Sequence, residues 1–309
     1  MAESTRRSRL IWTFARIAVT ALAFGILFAM TDVKGVGEAL RTFPPEAALF
    51  TIALFYTSIG IGAVRWSVLL RTCGATTTPP IGRLFRLSVV GMFYSNVLPG
   101  AVAGDVVRGL ATAESFEGRG LTSSLAVTLL ERLSGLVGLL VLTSIALFIN
   151  PLEDLENFRF WGVLGMAGAL AGTVGVAYGT KLAPRLPSKL GALAAKLPEV
   201  KRPLGFAVAL VLSLGTHLCV IVAGHLLVTA VDGSVAFLDS AVVMPLVTMA
   251  SYFPLTIGGA GVREIAVVGV YGFVGVPEAK ALAAALAYAA CLFLVAVTGG
   301  ILNMLKPLK

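Results

Sequence analysis

The sequence predicts an all-α polytopic membrane protein, with six spanning helices plus two re-entrant or broken-helix elements in an inverted-topology repeat. Three observations carry that expectation. Of the 309 residues, 57% are hydrophobic and only 13% charged, about half the charged share of a soluble domain, and mean hydropathy is +0.92. Six apolar runs are long enough to cross a bilayer, which takes roughly 20 residues. Two further apolar stretches, about 84–103 and 240–276, are interrupted by Pro and Gly.

The runs justify themselves in order. The first, 10–30, follows Arg6, Arg7 and Arg9. Ala21-Leu22-Ala23 resembles a cleavage box, yet the apolar run continues past it, so a retained signal anchor is expected. The second, 48–70, is followed by Arg71, Arg83 and Arg86. The broken stretch 84–103 comes next, then the runs 121–149 and 160–180, separated by Glu153, Asp154 and Glu156. The interval 181–202 concentrates Lys181, Arg185, Lys189, Lys196, Lys201 and Arg202. The runs 204–230 and 281–305 flank the second broken stretch.

Lys and Arg in short loops mark the cytoplasmic side. The basic clusters at 6–9, 71–86 and 181–202 therefore put the N-terminus and those two loops inside, and the net charge of +8 reads as orientation rather than nucleic-acid binding. With 181–202 inside, 160–180 runs inward and 121–149 outward, which leaves 104–120 inside as well. The segment between 71–86 and 104–120 must then enter and leave on one face, as a re-entrant hairpin or a pair of short helices. The same parity makes 240–276 enter and return on the outer face, and ends the chain inside at Lys306 and Lys309. The alternative is that one short segment spans. The expected location is the inner (cytoplasmic) membrane, multi-pass, with both termini cytoplasmic.

The two broken stretches also match in sequence. Leu98-Pro99, Gly104 and Val107-Arg108 have the spacing of Phe253-Pro254, Gly259 and Val262-Arg263. Residues 1–309 thus read as a single membrane domain of two halves, about 10–149 and 160–305, of opposite topology, as in secondary transporters. Irregular backbone at membrane depth is tolerated only where protein buries it or a wet cavity faces it. Helices starting near Gly104 and Gly259 would present free N–H groups, and beside an Arg these make a place for an anion such as phosphate.

Charges inside a bilayer cost about 2.5–3.5 kcal/mol each at the centre, so they are the candidate site residues. Asp105 and Arg108 are three apart and share a helical face. Arg263 and Glu264 follow Gly259-Ala260-Gly261. Glu131 sits about ten residues inside its span, with Arg132 as a candidate partner. Asn96 and Ser95 precede the first break and could donate to a headgroup or satisfy freed carbonyls. Arg16 and Arg65 lie near cytoplasmic ends and read as snorkelling residues. His217 and His225 lack a third ligand and read as core or lumen histidines. The three cysteines form neither a metal spacing nor a disulfide framework. No catalytic triad order, nucleotide motif or metalloprotease motif is present, so no enzyme activity and no cofactor are expected.

The segments NVLPGAVAGDVVR, LLERLSGLVGLL and FPLTIGGAGVRE together resemble the lysylphosphatidylglycerol synthase transmembrane-region family of flippase-like membrane proteins, over nearly the whole chain. The resemblance implies movement of a phospholipid or another phosphate-bearing amphiphile, such as a polyprenyl-phosphate-type lipid, between leaflets. It assigns Pro99, Gly104, Asp105, Arg108, Glu131, Arg132, Gly259, Gly261, Arg263 and Glu264 to the family pattern, with Ala103 where a second glycine is usual. No aminoacyl-transfer domain is expected after these motifs, hence no lysyl-lipid synthesis. A non-transporting scaffold or accessory subunit of a lipid-linked glycan system stays open as the alternative.

Overall fold

The computed structural model describes residues 31–97, 103–118, 120–149, 156–195, 199–231, 234–251, 256 and 259–307, and eight helical positions between 18 and 29. All regular structure among them is helical. The expected span 10–30 and the breaker Pro99 fall wholly or largely outside the described residues.

Four helices are long and apolar enough to cross a membrane: Pro45–Thr72 (α2), Gly120–Ile149 (α5), Pro203–Ala230 (α9) and Glu278–Leu305 (α12). Each exceeds a bilayer's hydrocarbon core, since 28 residues at 1.5 Å give about 42 Å. Proline opens α2 and α9 at the first helical position, where its missing N–H costs nothing. The chain is a multi-pass membrane protein. Where the sequence predicts a span at 160–180, helix α6 covers Glu156–Ala177. There Gly162–Gly175 and Gly179–Arg185 meet at 80°, and only the two together are long enough to cross a bilayer.

A short amphipathic helix, Val33–Arg41 (α1), precedes α2. Asp32 caps it by accepting a hydrogen bond from the Lys34 N–H at 3.0 Å, and Val36 anchors it in the core. The basic interval after α6 folds into two short helices, Gly179–Leu182 (α7) and Ser188–Ala194 (α8).

Each broken stretch is a pair of short helices folded back on itself. Ile81–Val97 (α3) returns as Ala103–Ala111 (α4), and Phe237–Ser251 (α10) returns as Val262–Gly272 (α11). In the first hairpin the Gly104 N–H donates to Ser95 Oγ at 3.3 Å, and Gly91 lies against Gly104 and Arg108. In the second, Ser251 lies against Gly259 while Tyr271 donates to Ser240 Oγ at 3.2 Å. Residues later in one arm thus meet residues earlier in the other, the signature of antiparallel packing.

Close backbone approach seats the first hairpin. A Cβ on Gly104 would fall 2.1 Å from the Gly91 carbonyl oxygen, and one on Gly299 of α12 would fall 2.2 Å from the Val89 oxygen. Only residues without a side chain allow such contacts, as between helices in membranes. One apolar core joins α9, α10, α11 and α12, with Leu227, Val242, Tyr271 and Leu282 among its buried members. A second joins α2, α3, α5 and α9 around Trp66, Leu70, Leu84 and Leu130.

Candidate functional site

A cleft of about 320 Å³ opens among these helices, lined by residues of α2, α3, α4, α5, α9, α10 and α12. Its walls carry Arg65, Asp105, Arg108, Glu131, Arg132 and His217. Glu131 is the centre of the charge pattern and is only 4% exposed. Its Oε1 accepts from Arg65 at 3.1 Å and its Oε2 from Arg108 at 2.6 Å. Such charge-assisted bonds are roughly twice as strong as neutral ones. A lone carboxylate could not persist at this depth without them.

Each partner is held by a second contact. Arg65 also donates to Ser213 Oγ at 3.0 Å. The Arg108 guanidinium stacks 4.1 Å above the Trp66 ring, and lies 3.7 Å from Asp105. Asp105 in turn accepts from Arg132 Nε. His217 bonds through Nε2 to the Gly135 carbonyl at 2.8 Å. Three buried nitrogens of this set, Arg65 Nε, Arg108 Nε and His217 Nδ1, have no hydrogen-bond partner among the described residues. The two arginine nitrogens are donors, while His217 Nδ1 is an acceptor because Nε2 donates to the carbonyl. Buried polar atoms left unpaired are rare in folded proteins and call for a physical reason.

The sequence-selected residues divide into two groups. Asp105, Arg108, Glu131 and Arg132 converge on the cavity. Arg132, however, pairs with Asp105 and not with Glu131, because neighbouring residues on a helix project about 100° apart. Arg65 does not snorkel: its side chain is 12% exposed and turned onto Glu131, so this cation is an interior member of the cluster. Asn96 donates to the Met92 carbonyl of its own helix at 2.8 Å and does not line the cavity.

Arg263 and Glu264 form a separate closed unit. Glu264, fully buried, accepts from Arg263 through Oε1 at 2.6 Å. Its Oε2 accepts from the Gly261 N–H at 2.5 Å. Helix α11 begins at Val262, three residues beyond Gly259, because Gly259 and Gly261 take positive φ of 76° and 87°. Such angles end a helical path and favour glycine. The Glu264 carboxylate therefore already occupies the helix N-terminus that the sequence reading left open for an anion. Tyr288 stands between the two units: it lines the cavity, and its ring lies 5.7 Å from the Arg263 guanidinium.

The sequence profile of the lysylphosphatidylglycerol synthase TM region matches residues 13–300. This chain belongs to that family. The match extends over the four long helices and both hairpins, so this lysylphosphatidylglycerol synthase TM-region protein carries its interior charge cluster within the family's own span. No curated protein matches it in sequence. Membership indicates a lipid-related role in the membrane.

Proposed function

We propose that this protein is a flippase-like transporter that moves a phospholipid, or another phosphate-bearing amphiphile, between the leaflets of the inner membrane, with both termini cytoplasmic. The observation that carries this reading is the buried cluster in which Glu131 bridges Arg65 and Arg108 along the wall of a cavity between the long apolar helices. Ionisable groups inside a membrane mark substrate pathways by default. The wall holds three arginines against two carboxylates, an excess of one positive charge that favours an anion.

The chemistry follows from exchange. A headgroup phosphate offers oxygens that take the place of Glu131 and Asp105 on the guanidinium groups, and Arg pairs with phosphate in the same two-pronged way as with carboxylate. Hydrogen bonds are then swapped rather than lost, and only the headgroup leaves water while the acyl chains stay in the bilayer. The unpaired Nε atoms of Arg65 and Arg108 supply further donors. The hairpins α3–α4 and α10–α11 support reading the fold as an inverted repeat, and both reach the cavity, the first through Ser88, Asp105 and Arg108 and the second through Thr248.

The reading is tested by lipid analysis of the purified protein. Wild type is expected to retain phosphate-bearing lipid through extraction, and Arg108→Ala to retain markedly less at equal folded yield. Equal retention by both would refute the placement of the headgroup.

A further inference from the structure

A second cavity, of about 510 Å³, lies away from the charge cluster, where the start of α3, the end of α4 and the end of α12 meet. Its charged residues are all basic: Arg83, Arg86 and Lys306. None of the three has a salt bridge among the described residues. Arg86 is held in place by the last carbonyls of α12, donating to Leu302 O at 3.2 Å and to Lys306 O. Arg83 and Lys306 are exposed. The long spanning helix α12 ends at Leu305, which puts this cavity at the bilayer interface.

We infer that this cavity binds the phosphodiester headgroup of an anionic phospholipid, as a site separate from the central one. Three cations converging without a carboxylate match a phosphate, and basic pockets between spanning helices are suited to such headgroups. A lipid, rather than a free anion, is indicated by what flanks the pocket along the chain. Ile81 beside Gly82, Leu110 beside Ala111, and Leu305 beside Lys306 are large apolar residues exposed by 48%, 55% and 78%. Cationic groups and bare apolar surface side by side fit an amphiphile, with its acyl chains along the helices. Both hairpin arms contribute, Arg83 and Arg86 from α3 and Ala111 from α4. Bound lipid therefore ties together the open end of the hairpin whose return arm carries Arg108.

The test is thermal unfolding of the full chain in detergent, titrated with phosphatidylglycerol, phosphatidylcholine or inorganic phosphate. Phosphatidylglycerol should raise the melting temperature of wild type well beyond any shift the other two give. Arg83→Gln with Lys306→Gln should need about thirtyfold more phosphatidylglycerol for the same shift, the worth of two cations beside an anionic lipid. Should the double variant fail to fold, Arg83→Gln alone should need about fivefold more. Arg185→Gln, which removes an exposed cation lining neither cavity, should respond as wild type does. The inference is overturned if the pocket variants respond like wild type or if phosphatidylcholine or phosphate matches phosphatidylglycerol. It also fails if Arg108→Ala abolishes the response, which would assign the lipid to the central site.

Discussion

Replacing Glu131 by Gln tests the interior cluster most severely. The carboxylate is 4% exposed and accepts from two guanidinium groups. Gln keeps the volume and one acceptor oxygen, but its amide N–H₂ points at one arginine and its negative charge is gone. Arg65 is then left with Ser213 and no counter-ion, and Arg108 with only the more distant Asp105 and the Trp66 ring. Removing one member of a buried ion pair costs about 3–5 kcal/mol. At roughly 2 °C per kcal/mol for a chain of this size, the melting temperature of detergent-purified protein should fall by about 6–10 °C. Adding Arg65→Met should recover part of that loss, because the second change removes one of the stranded charges. An Arg65→Met double variant no more stable than Glu131→Gln would refute the charge argument, as would Glu131→Gln melting within about 1 °C of wild type.

Other substitutions probe the supports of the cluster. Gly104→Ala would place a methyl 2.1 Å from the Gly91 oxygen. It should destabilise the α3–α4 hairpin by about 3 kcal/mol, measured as faster proteolysis or amide exchange in that segment. Trp66→Leu removes the ring under Arg108 and should cost about 2 kcal/mol from the desolvated cation–π contact alone, read from thermal unfolding. Gly261→Ala forces a side chain into φ 87° at the start of α11, with an expected cost of about 1–3 kcal/mol and weaker protection of Glu264 and its neighbours from exchange. Asp105→Asn should cost less than Glu131→Gln, about 1 kcal/mol, because its Arg132 partner is 41% exposed and water can replace the bond.

The long helices were legible because their signal is local. The expected spans 48–70, 121–149, 204–230 and 281–305 lie within helices that begin one to three residues earlier. The proline-glycine breaks likewise announced two interrupted stretches, and antiparallel helix pairs flank both. What sequence could not supply was pairing across distance. Arg65 lies six residues before Arg71, where a long side chain can reach the interface, so snorkelling accounted for it. Only the fold brings it to Glu131, 66 residues away. A stricter demand that Glu131 find a cation from another helix would have pointed to Arg65. The matching motifs around Arg108 and Arg263 suggested equivalent roles, yet Arg108 sits in the second turn of its helix and Arg263 in the first. The positive φ of Gly261 shifts that helix start, and the Glu264 cap closes it, neither of which a spacing pattern reveals. The Asp32 cap and the amphipathic pattern of α1 are sequence signals of a short helix, which is not itself a long apolar run.

On the proposed function, the Arg65–Glu131–Arg108 cluster passes a phosphate headgroup between leaflets. Proteoliposomes carrying a fluorescent phospholipid, bleached from outside by a membrane-impermeant reductant, measure this most directly. Wild type should expose inner-leaflet lipid well above protein-free vesicles. Arg108→Ala and Arg65→Ala, reconstituted at equal density, should slow that exposure by at least about tenfold, the worth of roughly 1.4 kcal/mol of lost headgroup binding. Exposure as fast in both variants as in wild type, or no faster in wild type than in protein-free vesicles, would contradict the claim.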